Sequence, residues 1–104
     1  VGVMNCGLSD RTIESIQTVL SRHTAVEKAV LYGSRAKGNY KPGSDIDLTL
    51  LGDSLTSSEL GTIAEELDDL LLPYQIDLSI FTQITSVELQ KHIKRVGLVF
   101  FERF

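Results

Sequence analysis

Three aspartates and one glycine-serine pair are the residues of this chain whose types and spacing could do chemistry. Asp45 and Asp47 stand two apart in Ser44-Asp45-Ile46-Asp47-Leu48, and Asp77 recurs in Ile76-Asp77-Leu78. The Gly33-Ser34 pair follows a short apolar run and leads into Arg35-Ala36-Lys37-Gly38. Residues two apart on a strand share a face about 7 Å apart, and neighbouring strands lie about 4.8 Å apart. If the two Ile-Asp-Leu segments pair, three carboxylates crowd one patch. Like charges at that range repel, and a divalent cation is the simplest compensation. All-oxygen donors of this kind suit magnesium, and carboxylates can bridge two ions. A glycine lets the backbone approach a phosphate closely, and successive N–H groups at the start of a helix attract anions. The expected chemistry is attack on the α-phosphorus of a nucleoside triphosphate with loss of pyrophosphate, achieved mainly by positioning and charge stabilisation. Taken alone, a glycine-serine pair after a strand is an ordinary turn, and Arg35 and Lys37 are ordinary solvated charges.

The elements that must position these residues are legible from periodicity. Ile13, Ile16, Val19 and Leu20 recur at helical spacing behind Ser9 or Asp10 as cap, with the end expected at His23 and Thr24. Lys28 to Tyr32 has the length of a buried strand. Ser44 to Leu51 alternates, with Asp45, Asp47 and Thr49 on one face and Ile46, Leu48 and Leu50 on the other. Gln75 to Phe81 alternates likewise, with Asp77, Ser79 and Phe81 opposed to Ile76, Leu78 and Ile80. Between these strands, Thr56 to Glu59 has capping-box form and opens a helix with the apolar stripe Leu60, Ile63, Ala64, Leu67, Leu70 and Leu71, closed by Pro73. Its acidic residues Glu65, Glu66, Asp68 and Asp69 read as a solvated face. A second box, Thr85 to Glu88, opens the last helix, which Gly97 closes. His92 reads as a surface histidine. Leu98 to Phe101 is either a strand or a segment that docks on a partner.

The chain of 104 residues is expected to form one domain over 1–104. With 42% hydrophobic and 23% charged residues it is globular in composition. The net charge of −4 argues against a broad nucleic-acid surface, but not against a mononucleotide whose charge a metal neutralises. A single cysteine excludes an internal disulfide framework and a multi-cysteine zinc site. With no signal-peptide pattern and no run of membrane-spanning length, a cytoplasmic location and no membrane partner are expected.

Gly33-Ser34-Arg35-Ala36-Lys37-Gly38, Ser44-Asp45-Ile46-Asp47-Leu48 and Ile76-Asp77-Leu78, in that order, resemble the polymerase-β-like nucleotidyltransferase superfamily. The match is closest to its minimal, stand-alone, antitoxin-type members. The resemblance implies an α/β (α+β) fold, a small mixed sheet with helices mainly on one face and the site on the other. It implies that Gly33 and Ser34 contact the triphosphate, that Asp45 and Asp47 ligate two magnesium ions (or manganese), and that Asp77 is the third ligand and base. Arg35 and Lys37 are candidate contacts to phosphate or acceptor. About twenty residues follow the last capping box, fewer than a helical acceptor-binding domain needs. The resemblance therefore implies a separately encoded helical partner of the HEPN toxin type, a homo- or hetero-oligomer, and transfer of AMP from ATP to a tyrosine of that partner. Leu98 to Phe101 and Phe104 are candidate contacts. Transfer to a small hydroxylated molecule, and a non-catalytic antitoxin acting by complex formation, stand as alternatives.

Overall fold

Alternation in the strands decides which way the sheet faces. The computed structural model describes residues 6–103, so Phe104 lies outside the described residues. Its strands are β1 (Lys28–Tyr32), β2 (Ile46–Leu51), β3 (Ile76–Ile80) and β4 (Leu98–Glu102), in the spatial order β3-β2-β1-β4. β1 runs antiparallel to β2 and β4, while β2 and β3 are parallel. The sheet is therefore mixed, as expected. Parallel neighbours need a crossover, and α3 (Ser57–Asp68) supplies it.

One face of the sheet carries the main core. Ala29, Leu31, Ile46, Leu48, Leu50 and Phe100 pack with Ile16, Val19 and Leu20 of α1 (Asp10–Ser21) and with Ile63 and Leu67 of α3. Burial of each large aliphatic side chain is worth roughly 1.5–3 kcal/mol. This layer also sets the register, because a slip by one residue would drive Asp47 into the core and Leu48 out of it. The opposite face is polar toward β3 and is crossed by α4 (Val87–Val96), where His92 meets Tyr32 and Gly97 lies over the Val30 side chain.

Ser9 caps α1, its hydroxyl accepting from the Thr12 N–H, and Thr56 caps α3 by accepting from the Glu59 N–H. Several boundaries differ from the sequence reading, and β2 and β3 begin at Ile46 and Ile76 and not at Ser44 and Gln75. The cap of α4 is Ser86, which accepts from the Leu89 N–H, one residue beyond the box read at Thr85. α1 stops at Ser21, and Arg22 is its C-cap. α3 stops at Asp68, well before Pro73. Asp68 and Asp69 oppose the negative end of the helix dipole, and Leu71 then takes a left-handed φ of 55°. That turn throws Leu71 out of the stripe to 88% exposure. Phe81 leaves β3 and opens a 3-10 turn, Phe81–Gln83. Among the described residues no helix is long and apolar enough to cross a membrane.

Candidate active site

Register brings the two Ile-Asp-Leu segments level. Asp47 pairs with Asp77 across the parallel β2–β3 ladder, and Tyr32 pairs with Asp47 across the antiparallel β1–β2 ladder. Paired residues point to the same face, so Tyr32, Asp47 and Asp77 line one patch at the end of β1 where the chain enters the glycine-serine turn. Behind them Ser79 donates to the Thr49 hydroxyl at 2.9 Å. Asp45 stands just ahead of the β2 ladder and is exposed.

The turn closes directly on this patch. Gly33 has φ 74°, and a Cβ built there would overlap the Asp47 carboxylate. Glycine is therefore required twice, by conformation and by the space that Asp47 fills. Ser34 opens the short helix α2 (Ser34–Lys37), and Gly38 ends it in the left-handed region with its N–H on the Ser34 carbonyl. The first N–H groups of such a helix have no intrahelical partner. Lys37 is exposed on the last turn of α2.

The electrostatics are those of crowded anions. Burial, then the neighbouring charges of Asp77 and Asp45, pushes the Asp47 carboxyl above its ordinary value, against a smaller opposing effect of His92. Tyr32 is shifted upward as well, first by burial, with Asp47 and Asp77 adding to it and Ser79 opposing. Among the described residues no lysine or arginine forms an ion pair with Asp45, Asp47 or Asp77. Nor do three acidic, histidine or cysteine side chains among them converge tightly enough to form a ready-made metal shell. The pairing of Asp47 with Asp77 is thus as expected, while the single meeting point for all three carboxylates is not preformed. Mutual repulsion favours that separation. An all-carboxylate donor set with no compensating cation still has the chemistry that hard divalent ions take.

Arg35 requires a correction. The sequence reading offers it to phosphate or acceptor, yet it is 1% exposed. Its Nε, Nη1 and Nη2 donate to the carbonyls of Ser44, Cys6 and Pro42, and its guanidinium lies against the rings of Tyr40 and Tyr74. Two neighbours of the carboxylates do not stand out in the sequence. In the sequence Tyr32 is only the end of an apolar run, and its place directly before Gly33 is the one signal that marks it. His92 meets the Tyr32 ring edge-on, with centroids 6.3 Å apart. Nothing local to its sequence distinguishes it from a surface histidine, because only the packing of α4 across the sheet brings it there.

The sequence model of the family described as Polymerase beta, Nucleotidyltransferase matches residues 14–103. The chain belongs to the polymerase β nucleotidyltransferase family. The match takes in the glycine-serine turn and all three aspartates. Among solved structures, this family member resembles a toxin–antitoxin with AMP-PNP at 22% identity and TM-score 0.68, over 92% of this chain and 75% of that one. It resembles the toxin–antitoxin MntA-HepT at 20% identity and TM-score 0.67, over 91% of this chain and 74% of that one. It also resembles a chain of the tri-AMPylated Shewanella oneidensis HEPN toxin in complex with MNT antitoxin, at 19% identity and TM-score 0.68, over 92% and 74% of the two chains. At such identities the likeness is one of fold. No curated protein matches by sequence.

Proposed function

We propose that this nucleotidyltransferase moves AMP from ATP to a hydroxyl, a tyrosine of a separately encoded helical HEPN-type toxin, and so acts as the antitoxin of a pair. The observation that carries the reading is the seating of the Gly33 turn on Asp47, with Asp77 level with Asp47 on the next strand. The family supports nucleotidyl transfer. The nature of the acceptor is supported by the solved complexes of the same fold, one of them a tri-AMPylated HEPN toxin with its MNT antitoxin, and the choice of ATP by another holding AMP-PNP.

Divalent cations, when bound, supply charge neutralisation on the triphosphate and activation of the attacking hydroxyl. Asp45, Asp47 and Asp77 are the residues that would hold them. The backbone N–H groups after Gly33 and the Ser34 hydroxyl hold the phosphates, with Lys37 within the same turn as a further cation. The phosphates are thereby fixed while the acceptor approaches from the open side of the patch. Asp77, exposed on β3, accepts the proton of the acceptor hydroxyl as its oxygen bonds the α-phosphorus, the α–β phosphoanhydride bond breaks and pyrophosphate leaves. Loss of a general base costs about 10²–10⁴-fold.

The test is incubation with α-phosphate-labelled ATP, magnesium and the product of the neighbouring gene. Label passes to the partner, and Asp47→Ala or Asp77→Asn removes at least about 100-fold of that transfer. A tight complex that forms without label, and is indifferent to both substitutions, would instead establish an antitoxin that works by contact. Label on a small hydroxylated compound but not on the partner would replace the proposed acceptor.

A further inference from the structure

Arg35 heads the largest side chains buried in the fold. Burying a cation is costly unless its hydrogens are satisfied. Here no carboxylate among the described residues pairs with it. Its Nε and Nη2 converge on the Ser44 carbonyl at 3.1 and 2.9 Å, Nη2 also reaches the Pro42 carbonyl at 3.4 Å, and Nη1 reaches the Cys6 carbonyl at 2.8 Å. The Tyr40 and Tyr74 ring centroids lie 5.3 and 4.9 Å from the guanidinium carbon. A planar fork against two rings with several oxygens at its edge is a task for arginine and not for lysine.

The neighbours of this fork are spaced along the chain beside the candidate site. Arg35 itself follows Ser34, Ser44 precedes Asp45, and Tyr74 precedes Asp77 by three positions. Asp45 is the carboxylate that the sheet holds least. The ladder begins at Ile46, whose N–H donates to the Gln75 carbonyl at 2.9 Å, so pairing secures Asp45 only on its C-terminal side. On its N-terminal side Ser44 is held twice through its carbonyl by Arg35, and by a turn in which its N–H donates to the Lys41 carbonyl and its hydroxyl accepts from the Lys41 N–H.

We infer that Arg35 is a positioning residue: through the Ser44 carbonyl and the rings of Tyr40 and Tyr74 it sets Asp45 against the Gly33–Ser34 turn and Asp77. The part concerning transfer rests on the proposed function; the clamp itself does not. The role explains why a cation one residue from the phosphate turn is withdrawn from solvent. It also assigns Tyr40 and Tyr74, through their rings on Arg35, to the support of the site.

The test compares the full chain with Arg35→Lys in three measurements. Amide exchange of Lys41, Ser44 and Ile46 is expected to quicken by about tenfold or more, with Leu48 and Leu50 unchanged. Manganese affinity, followed by electron paramagnetic resonance, is expected to weaken about tenfold. At saturating manganese the kcat for labelled AMP transfer falls about tenfold while KM for ATP holds, because the metal positions are filled and the phosphate turn is intact. A folded variant with unchanged manganese affinity and kcat overturns the inference, as does exchange that quickens evenly over the whole sheet. If the lysine variant does not fold, Tyr40→Leu removes one ring and leaves the guanidinium. It should weaken manganese binding about threefold, and an unchanged affinity overturns the inference. If the wild-type chain neither binds manganese nor transfers AMP, the proposed function fails, while the exchange contrast between Ser44 and Leu48 still decides for or against the clamp.

Discussion

Asp47 carries opposite demands on one side chain. Its backbone is locked between Tyr32 and Asp77, and its carboxylate fills the space that Gly33 leaves. Burial, then Asp77 and Asp45, raises its pKa above 3.8. A carboxyl raised on folding is one whose charged form the fold disfavours. Stability is therefore greatest while the group is protonated, and it declines as pH rises from the ordinary value through the raised one. At neutral pH the penalty is fully present. Asp47→Asn should melt higher than the wild type at pH 7 without metal. Partial exposure keeps the gain below about 1 kcal/mol, and the difference should close below about pH 4. A lower melting temperature for the variant at pH 7 would mean that the charge is compensated within the chain. The three aspartates and the turn were legible because residue type and period-two alternation together specify a face. Arg35 was not, because its partners are backbone carbonyls, which leave no mark in the residue types around it.

Between elements, the junction of α1 and α3 shows a different limit on what could be read. His23, just past α1, directs Nδ1 to Glu59 at 3.1 Å and Nε2 to Glu66 at 3.0 Å, and Glu66 also meets Arg22 at 3.6 Å. The acidic face of α3 is thus partly engaged and not wholly solvated. Two ring nitrogens each facing a carboxylate oxygen describe a doubly protonated imidazole. Burial alone would lower its pKa, but the hydrogen bonds to Glu66 and Glu59 and their charges outweigh it, and the net direction is upward. For a histidine raised on folding, the contribution is fully present below the ordinary value of 6.5 and is lost as pH climbs through the raised one. The two glutamates are about a third exposed, which holds the effect to about 1 kcal/mol, or roughly 4–8 °C for a domain near this size. Melting between pH 6 and pH 9 should fall by that amount in the wild type and stay flat in His23→Gln. Equal slopes would show that the bridge adds nothing. Helix starts are legible at Ser9 and Thr56, whose hydroxyls mark them locally. Helix ends and the His23 bridge depend on which helices become neighbours, and no local pattern states that.

At the scale of the whole molecule, an acidic chain is expected to bind a more acidic ligand. The net charge is −4, and the candidate site adds three carboxylates to the face that would meet a triphosphate. Coulomb repulsion makes ATP alone a poor ligand, and divalent ions alone bind carboxylates held apart measurably but weakly, whereas the two together cancel each other's cost. Binding to the native state alone stabilises it by about 2.7 kcal/mol at a ligand concentration 100 times Kd. For a domain of this size that corresponds to roughly 10–20 °C. Melting curves with magnesium and ATP together should therefore rise steeply with ATP concentration, while either alone moves the midpoint little. Asp45→Asn and Asp77→Asn should each blunt the joint response, since each removes a donor and also part of the repulsion that makes the ions necessary. The nonadditivity is the decisive feature. A curve that responds to ATP equally with and without magnesium would assign the nucleotide to the turn alone and leave the aspartates without a part in holding it, and a curve that responds to neither would take the nucleotide site away from this face of the sheet.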